Sequence, residues 1–216
     1  MLYQLLQTLF PSPCVGCAYL GQALCERCRE ELSFNPHLRE LPELSVCAAL
    51  YYTPGDLLEG LIHPFKYSHQ ADLARFLVPP LREALKLLLE PSQIVLVPVP
   101  LHRSRWLERG YNQAELLAQG VGRALGVRVL PLLKRVRATE SQALLQHRVD
   151  REGNLQGAFA VNGPIPLDSQ IVLVDDIVTT GSTLLTCAQT LRAAGATKVS
   201  ALVLADRNEA PLTPWH

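Results

Sequence analysis

Two adjacent carboxylates, Asp175 and Asp176, close an apolar run at 171–174, and a hydroxyl-rich stretch, Val178, Thr179, Thr180, Gly181, Ser182 and Thr183, follows one residue later. Carboxylates at the end of a buried strand are costly to desolvate unless something binds them. Vicinal sugar hydroxyls, or a metal-bound sugar, would engage both. The stretch after them leads into a helical pattern, and a helix N-terminus offers unpaired N–H groups and a dipole that favour a phosphate. Gly181 permits close backbone approach, while Thr180, Ser182 and Thr183 add hydroxyl donors. A sugar clamp beside a phosphate nest describes a ribose-phosphate site. No Gly-Lys-Ser/Thr is present, so this is not a Walker loop.

A second cluster carries the opposite charge. Between His102 and Arg151 there are 10 Lys/Arg against 4 Asp/Glu, a surplus that the rest of the chain cancels to a net charge of zero. The middle of the chain is therefore built to meet anions. His102, Arg103, Arg105 and Arg109 follow the apolar run "IVLVPVP" at 94–100. The planar guanidinium forks of the three arginines suit phosphate oxygens, which they can bind bidentately. Lys134, Arg135, Arg137, His147, Arg148 and Arg151 populate a polar segment, 134–157, too long for an ordinary connection and a candidate lid. The same basic stretch could track a nucleic-acid backbone, with Trp106 and Tyr111 the only nearby aromatics. Both uses remain open at this level.

The third cluster is "CVGCAYLGQALCERC", which sets Cys14 and Cys17 two residues apart, then Cys25 and Cys28 likewise. Two such knuckles supply the four thiolates of a structural zinc site. Redox-active pairs are the rival reading, but neither pair has a strand-then-helix context of the thioredoxin type. Four of the six cysteines within fifteen residues suit a metal site in a reducing cytoplasm better than a secreted disulfide framework. Cys47 and Cys187 fall in apolar patterns and read as plain buried thiols.

The elements that must carry these groups can be read from periodicity. The 216 residues fit one domain with a small appendage, and no apolar run approaches the ~20 residues of a membrane span. "MLYQLLQTLF" has no basic leader or cleavage site and reads as a short docking helix. The spacing predicts a division into a cysteine module at 1–45 and a larger domain at 46–216. "VCAALYY", "IVLVPVP", "VRVL", "IVLVDD" and "KVSALVLA" read as strands. Between them lie helical patterns at "DLLEGLIHPFKY", at "ADLARFLVPPLREALKLLLE" with Pro79 and Pro80 breaking or kinking it, and at "NQAELLAQGVGRAL". Asn112 and Glu115 have the spacing of a capping box for the last of these, and a further helix runs from about 182 to 194. Alternating strands and helices predict an α/β fold, an open, mostly parallel sheet covered on both faces. Lys66, in "LIHPFKY", reads as a snorkelling residue at a helix end.

The Asp175–Thr183 stretch resembles the signature of type I phosphoribosyltransferases, which bind phosphoribosyl pyrophosphate with magnesium. The cysteine module, "LIHPFKY", "VPVPLHRSRWLERGYNQAELLA" and "ESQALLQHRVDREGNLQGAF" extend the resemblance, in order and over nearly the whole chain, to the ComF (GntX-like) branch. The resemblance implies that Asp175 and Asp176 hold the ribose hydroxyls, and that residues 178–183 wrap the 5′-phosphate. It further implies that the loop bearing His102, Arg103, Arg105 and Arg109 meets pyrophosphate, and that a lid with Lys134, Arg135, Arg137 and Arg148 closes over it. A further cysteine pair of that branch has no counterpart here beyond Cys47. Two functions follow: a phosphoribosyltransferase with an unidentified acceptor, or a DNA-uptake protein that handles single-stranded DNA beside a competence helicase. Asp175 and Asp176 are the catalytic candidates, and no residue reads as a general base for the acceptor.

Overall fold

The computed structural model describes residues 13–32, 34–88, 94–137, 157–166 and 168–207. The docking helix expected at the N-terminus, and most of the lid with His147, Arg148 and Arg151, lie outside them. Six strands form the central sheet: β1 (His37–Leu41), β2 (Leu44–Tyr51), β3 (Ile94–Pro98), β4 (Arg128–Val129), β7 (Gln170–Val178) and β8 (Lys198–Asp206). Their spatial order is β1-β2-β8-β7-β3-β4; β1 is antiparallel to β2, and every other pairing is parallel. The short strands β5 (Leu133–Arg135) and β6 (Phe159–Val161) pair antiparallel as a separate ribbon.

Two short helices lie apart from the main layers: α1 (Glu26–Glu30) in the cysteine module, and α4 (Arg103–Arg109) just after β3. Strand alternation assigns the two cores. Val172, Val174, Leu202 and Leu204 face one side, where they meet α2 (Leu57–Tyr67), α3 (Ala74–Leu85) and α5 (Gln113–Leu125). Ile171, Leu173, Ala201 and Val203 face the other, covered by α6 (Ser182–Ala193) and the β5–β6 ribbon. Burial on both faces explains why these strands are continuous apolar runs rather than alternating ones. The α3–α5 contact depends on Gly120, where a Cβ would run into a methyl of Val78.

Several expectations need correction. Pro79 and Pro80 do not break α3, which runs from Ala74 through to Leu85. Neither proline has an N–H to give the carbonyl four residues back, of Arg75 or Phe76, and Pro79 and Arg75 lie on the exposed face. Burial of Leu77, Leu81, Ala84 and Leu85 on the opposite face offsets the two lost bonds. Asn112 does cap α5, accepting from the Ala114 N–H at 3.1 Å, but Glu115 accepts from Gln119 rather than completing a box. Residues 37–45, expected in the cysteine module, form β1, its turn and the start of β2, and so belong to the sheet. Lys134 and Arg135 begin no loop; they are paired in β5 with Ala160 and Phe159. Buried Leu133 anchors that strand.

Candidate ribose-phosphate site and cysteine cluster

β3, β7 and β8 end together, and a cavity of about 690 Å³ opens beyond them. The end of β7 supplies Asp175 and Asp176. Adjacent strand residues point to opposite faces, so the two carboxylates diverge. Asp176 is turned to α2, where its Oδ2 lies 2.9 Å from Lys66 Nζ, and its Oδ1 accepts the Ile177 N–H at 2.6 Å. Asp175 accepts the Asp176 N–H at 2.9 Å and feels the charge of Arg135. Burial and the charge of Asp176 push the Asp175 carboxyl up to about 7, against the pull of the Asp176 N–H, Lys66 and Arg135.

This shift carries a stability consequence. An Asp in the unfolded chain titrates near ~3.9. Between about pH 4 and 7 the folded chain keeps a proton that the unfolded chain has lost, so ligand-free stability falls as pH rises through that window. Asp175→Asn is expected to raise Tm relative to wild type at pH 8 and to leave it unchanged at pH 4, as read by calorimetry. An equal effect at both pH values would contradict the assignment.

The turn after β7 enters α6 through Gly181, whose φ of 81° is left-handed and whose missing Cβ leaves room for a methyl of Leu41. Thr180 Oγ1 and Ser182 Oγ lie 2.8 Å apart, while Thr179 and Thr183 line the cavity. Val178 keeps its side chain in the core and offers only backbone to the turn.

Opposite stands the basic group. Arg105 and Arg109, on α4, line the cavity, as does Arg135 from β5. Burial and the charge of Arg105 lower the Arg135 pKa, with Asp175 acting in the other direction. Two guanidiniums that repel one another at the mouth of a cavity are stabilised by an anion between them. Arg109 is buried, donates to Gln113 Oε1 at 3.1 Å and lies 5.0 Å from the Tyr67 ring centroid. His102 and Arg103 are not brought to this cavity. His102 caps α4 through the Ser104 N–H, and Arg103 lines an adjoining groove with Trp106, Lys134 and Arg135. Arg137 lines neither. Tyr52, Gln113 and Arg207 also stand in the cavity wall, and no motif in the sequence marks them. Arg207 directly follows the end of β8, and the same strand-end rule that singles out Asp175 could have found it.

The cysteines form the second site. The sulfurs of Cys14, Cys17, Cys25 and Cys28 all lie within 4.8 Å of one another. Tetrahedral zinc at ~2.3 Å from each sulfur needs S–S separations of about 3.8 Å; Cys17 and Cys25 stand at 3.7 Å. The Cys25 N–H reaches Cys14 Sγ at 3.3 Å. Burial opposes ionisation of Cys14, but the N–H groups of Cys25, Cys17 and Gly16 prevail and bring its thiol down to about 6. Burial and the neighbouring thiols push Cys28 up. The cluster therefore fits a zinc ion. Cys47 and Cys187 are buried apart from it, Cys47 donating to the Ala84 carbonyl.

Known proteins resemble this chain in sequence over most of its length. The phosphoribosyl transferase domain family matches residues 107–214. Competence protein F of Haemophilus influenzae is 33% identical over 209 residues, 89% of either chain. The DNA utilization protein YhgH of Escherichia coli K12 is 34% identical over 202 residues, 87% of this chain and 86% of its own. Competence protein ComFC of Bacillus subtilis is 30% identical over 157 residues, 71% and 61% of the two chains. Among solved structures, adenine phosphoribosyltransferase of Saccharomyces cerevisiae aligns with a TM-score of 0.45 at 14% identity, covering 84% of this chain and 89% of that one.

Proposed function

Because the chain belongs to the ComF family, competence and DNA-utilization proteins with a phosphoribosyltransferase domain, we propose that its cavity binds phosphoribosyl pyrophosphate and transfers the phosphoribosyl group. The observation that carries this reading is the opposition of the two charges in one cavity. Asp175 and Asp176 stand beside the Thr179–Thr183 turn on one side, and Arg105, Arg109 and Arg135 on the other. The turn and the N-terminus of α6 receive the 5′-phosphate, the carboxylates accept the ribose hydroxyls, and the guanidiniums receive the diphosphate.

As the acceptor's lone pair forms a bond to the anomeric carbon, the bond to diphosphate breaks and its electron pair leaves with the diphosphate. The fixed arginines stabilise the charge that develops there, because they need not reorganise when it appears. Magnesium would enter with the ligand, with Asp175 and Asp176 as the carboxylates open to it, and would supply charge neutralisation at the leaving group. The cysteine cluster holds structural zinc in this reading, and its thiolates suit a reducing cytoplasm.

A second reading is favoured by the groove beside the cavity. Trp106 is 49% exposed there, next to Arg103 and Lys134, which together offer a stacking surface and cations to single-stranded DNA. The relatives' names, competence and DNA utilization, support a role of this kind, alongside catalysis or in its place. Calorimetry with phosphoribosyl pyrophosphate and magnesium, followed by a pyrophosphate-release screen over bases and amines, tests the first reading. Absence of ligand binding would end it. Anisotropy of a labelled oligonucleotide at ~150 mM salt tests the second; a phosphate-tracking site should show a salt slope near −0.7 per contact. No signal with micromolar protein would end that reading.

A further inference from the structure

Arg109 is the last residue of α4 and only 9% exposed. A guanidinium cannot shed its charge when buried, so its ordinary partner there is a carboxylate. The partly buried Arg39 has that partner, its Nη1 lying 2.7 Å from Asp206 Oδ1. Arg109 makes no ion pair among the described residues. Its Nη1 donates instead to the neutral Gln113 Oε1 at 3.1 Å, and its Nε is buried with no hydrogen-bond partner among the described residues. Gln113, itself 2% exposed, is fixed from its other end, where Nε2 donates to the Phe65 carbonyl at 3.3 Å. The Tyr111 hydroxyl donates to the same carbonyl at 2.7 Å, which ties the last turn of α2 to the start of α5. A carbonyl only accepts and a guanidinium only donates, so the group between them must do both. An amide does; a carboxylate does not.

We propose that Gln113 is a positioning residue that aims Arg109 into the cavity while leaving its charge uncompensated, so that this charge is kept for a ligand's diphosphate. This rests on the reading of the cavity as a phosphoribosyl pyrophosphate site. Gln113 and Arg109 line that cavity together with Arg105 and Arg135. A carboxylate in place of the amide would satisfy Arg109 inside the protein, and an entering anion would then meet a nearly neutral pair. The amide holds the guanidinium without that competition. The Tyr67 ring, its centroid 5.0 Å from the guanidinium carbon, backs it with a π face. The unfavourable burial of an unpaired cation is thereby left for a diphosphate to offset, which favours a ligand that brings one over a ligand that lacks it.

Phosphoribosyl pyrophosphate and ribose 5-phosphate differ in the diphosphate alone. Both are titrated by calorimetry, with magnesium in excess, into the full chain as wild type, Gln113→Glu and Gln113→Leu, at about pH 8 where a carboxylate is ionised. Gln113→Glu should weaken phosphoribosyl pyrophosphate about 10- to 100-fold, as for loss of a charge-assisted contact, and change ribose 5-phosphate by less than about 2-fold. Gln113→Leu keeps the charge of Arg109 but loses its aim. Its affinity for phosphoribosyl pyrophosphate should fall between those of wild type and Gln113→Glu, again with ribose 5-phosphate unchanged. A role in folding alone orders the variants the other way, because Leu loses both hydrogen bonds and Glu keeps one, and it weakens both ligands together. Equal loss for the two ligands, a variant that loses nothing, or Gln113→Leu binding more weakly than Gln113→Glu overturns the proposal and leaves the ligand reading intact. If Gln113→Glu does not fold, Gln113→Leu carries the same comparison: a loss confined to phosphoribosyl pyrophosphate supports the proposal, and a shared loss or none overturns it. Wild type that binds phosphoribosyl pyrophosphate no more tightly than ribose 5-phosphate overturns the proposal and takes the diphosphate off the guanidiniums. Wild type that binds neither overturns the phosphoribosyl pyrophosphate reading as well.

Discussion

Replacing Asp175 and Asp176 together with Asn is expected to weaken phosphoribosyl pyrophosphate binding by about 1.5–3 kcal/mol, roughly 10- to 150-fold, with the fold intact. The loss comes from charge-assisted bonds to the sugar, and to magnesium, that an amide accepts less strongly. Folding should tolerate the change. The two side chains make their hydrogen bonds to the N–H groups of Asp176 and Ile177, and an Asn oxygen can accept from the same donors. Relief of carboxylate repulsion should offset the loss of the Lys66–Asp176 ion pair. Calorimetric titration and a Tm measured on the same sample separate the two effects. Unchanged affinity in the double variant would remove the acidic pair from the site.

The other large effect is expected from the cysteine cluster. Protein purified without added metal should carry about one equivalent of zinc, and Cys14→Ser or Cys28→Ser should lose it. Structural zinc contributes on the order of 10–16 kcal/mol in small zinc-dependent peptides. Forfeiting even ~3 kcal/mol of this would lower Tm by about 6–12 °C in a chain of this size. The damage should also spread. Cys14, Leu24 and Cys28 belong to the same core cluster as Leu58 and Leu61 of α2, and Gly16 packs so closely that a Cβ there would meet Leu57 and Cys28. Less than a tenth of an equivalent of zinc, with a disulfide inside the module by mass spectrometry, would refute the metal site.

Much of the chemistry is legible in the sequence, and the reasons are local. A strand run ending in two aspartates, a hydroxyl-rich turn and a helix start is continuous along the chain, so its geometry follows from backbone periodicity and helix-end dipoles. The same holds for the cysteine knuckles, whose two-residue spacing already brings each pair of thiols together. Helix α5, its Asn112 cap and the buried strands β3, β7 and β8 are legible for the same reason.

What depends on the meeting of distant segments is not. Adjacency on a strand already sends Asp175 and Asp176 to opposite faces, but nothing in it says that one meets Lys66, more than a hundred residues earlier, and the other the charge of Arg135. The basic loop reads as one set of four, yet the helical turn of α4 delivers Arg105 and Arg109 to the cavity and sends Arg103 to the groove. Lys134 and Arg135 resemble loop because their composition is polar, while pairing with β6 makes them strand. Pro79 and Pro80 resemble breakers because propensity counts only the lost hydrogen bond, whereas tertiary burial of the opposite face holds α3 together. The sequence alone determined which chemical groups this protein carries and at which strand and helix ends they stand, because each end is defined by neighbours along the chain. Which of those groups share one cavity was decided only by the sheet order, the packing of α2 and the β5–β6 ribbon against it, and the contact of α4 with α2, since contacts between segments far apart in sequence leave no local pattern to read.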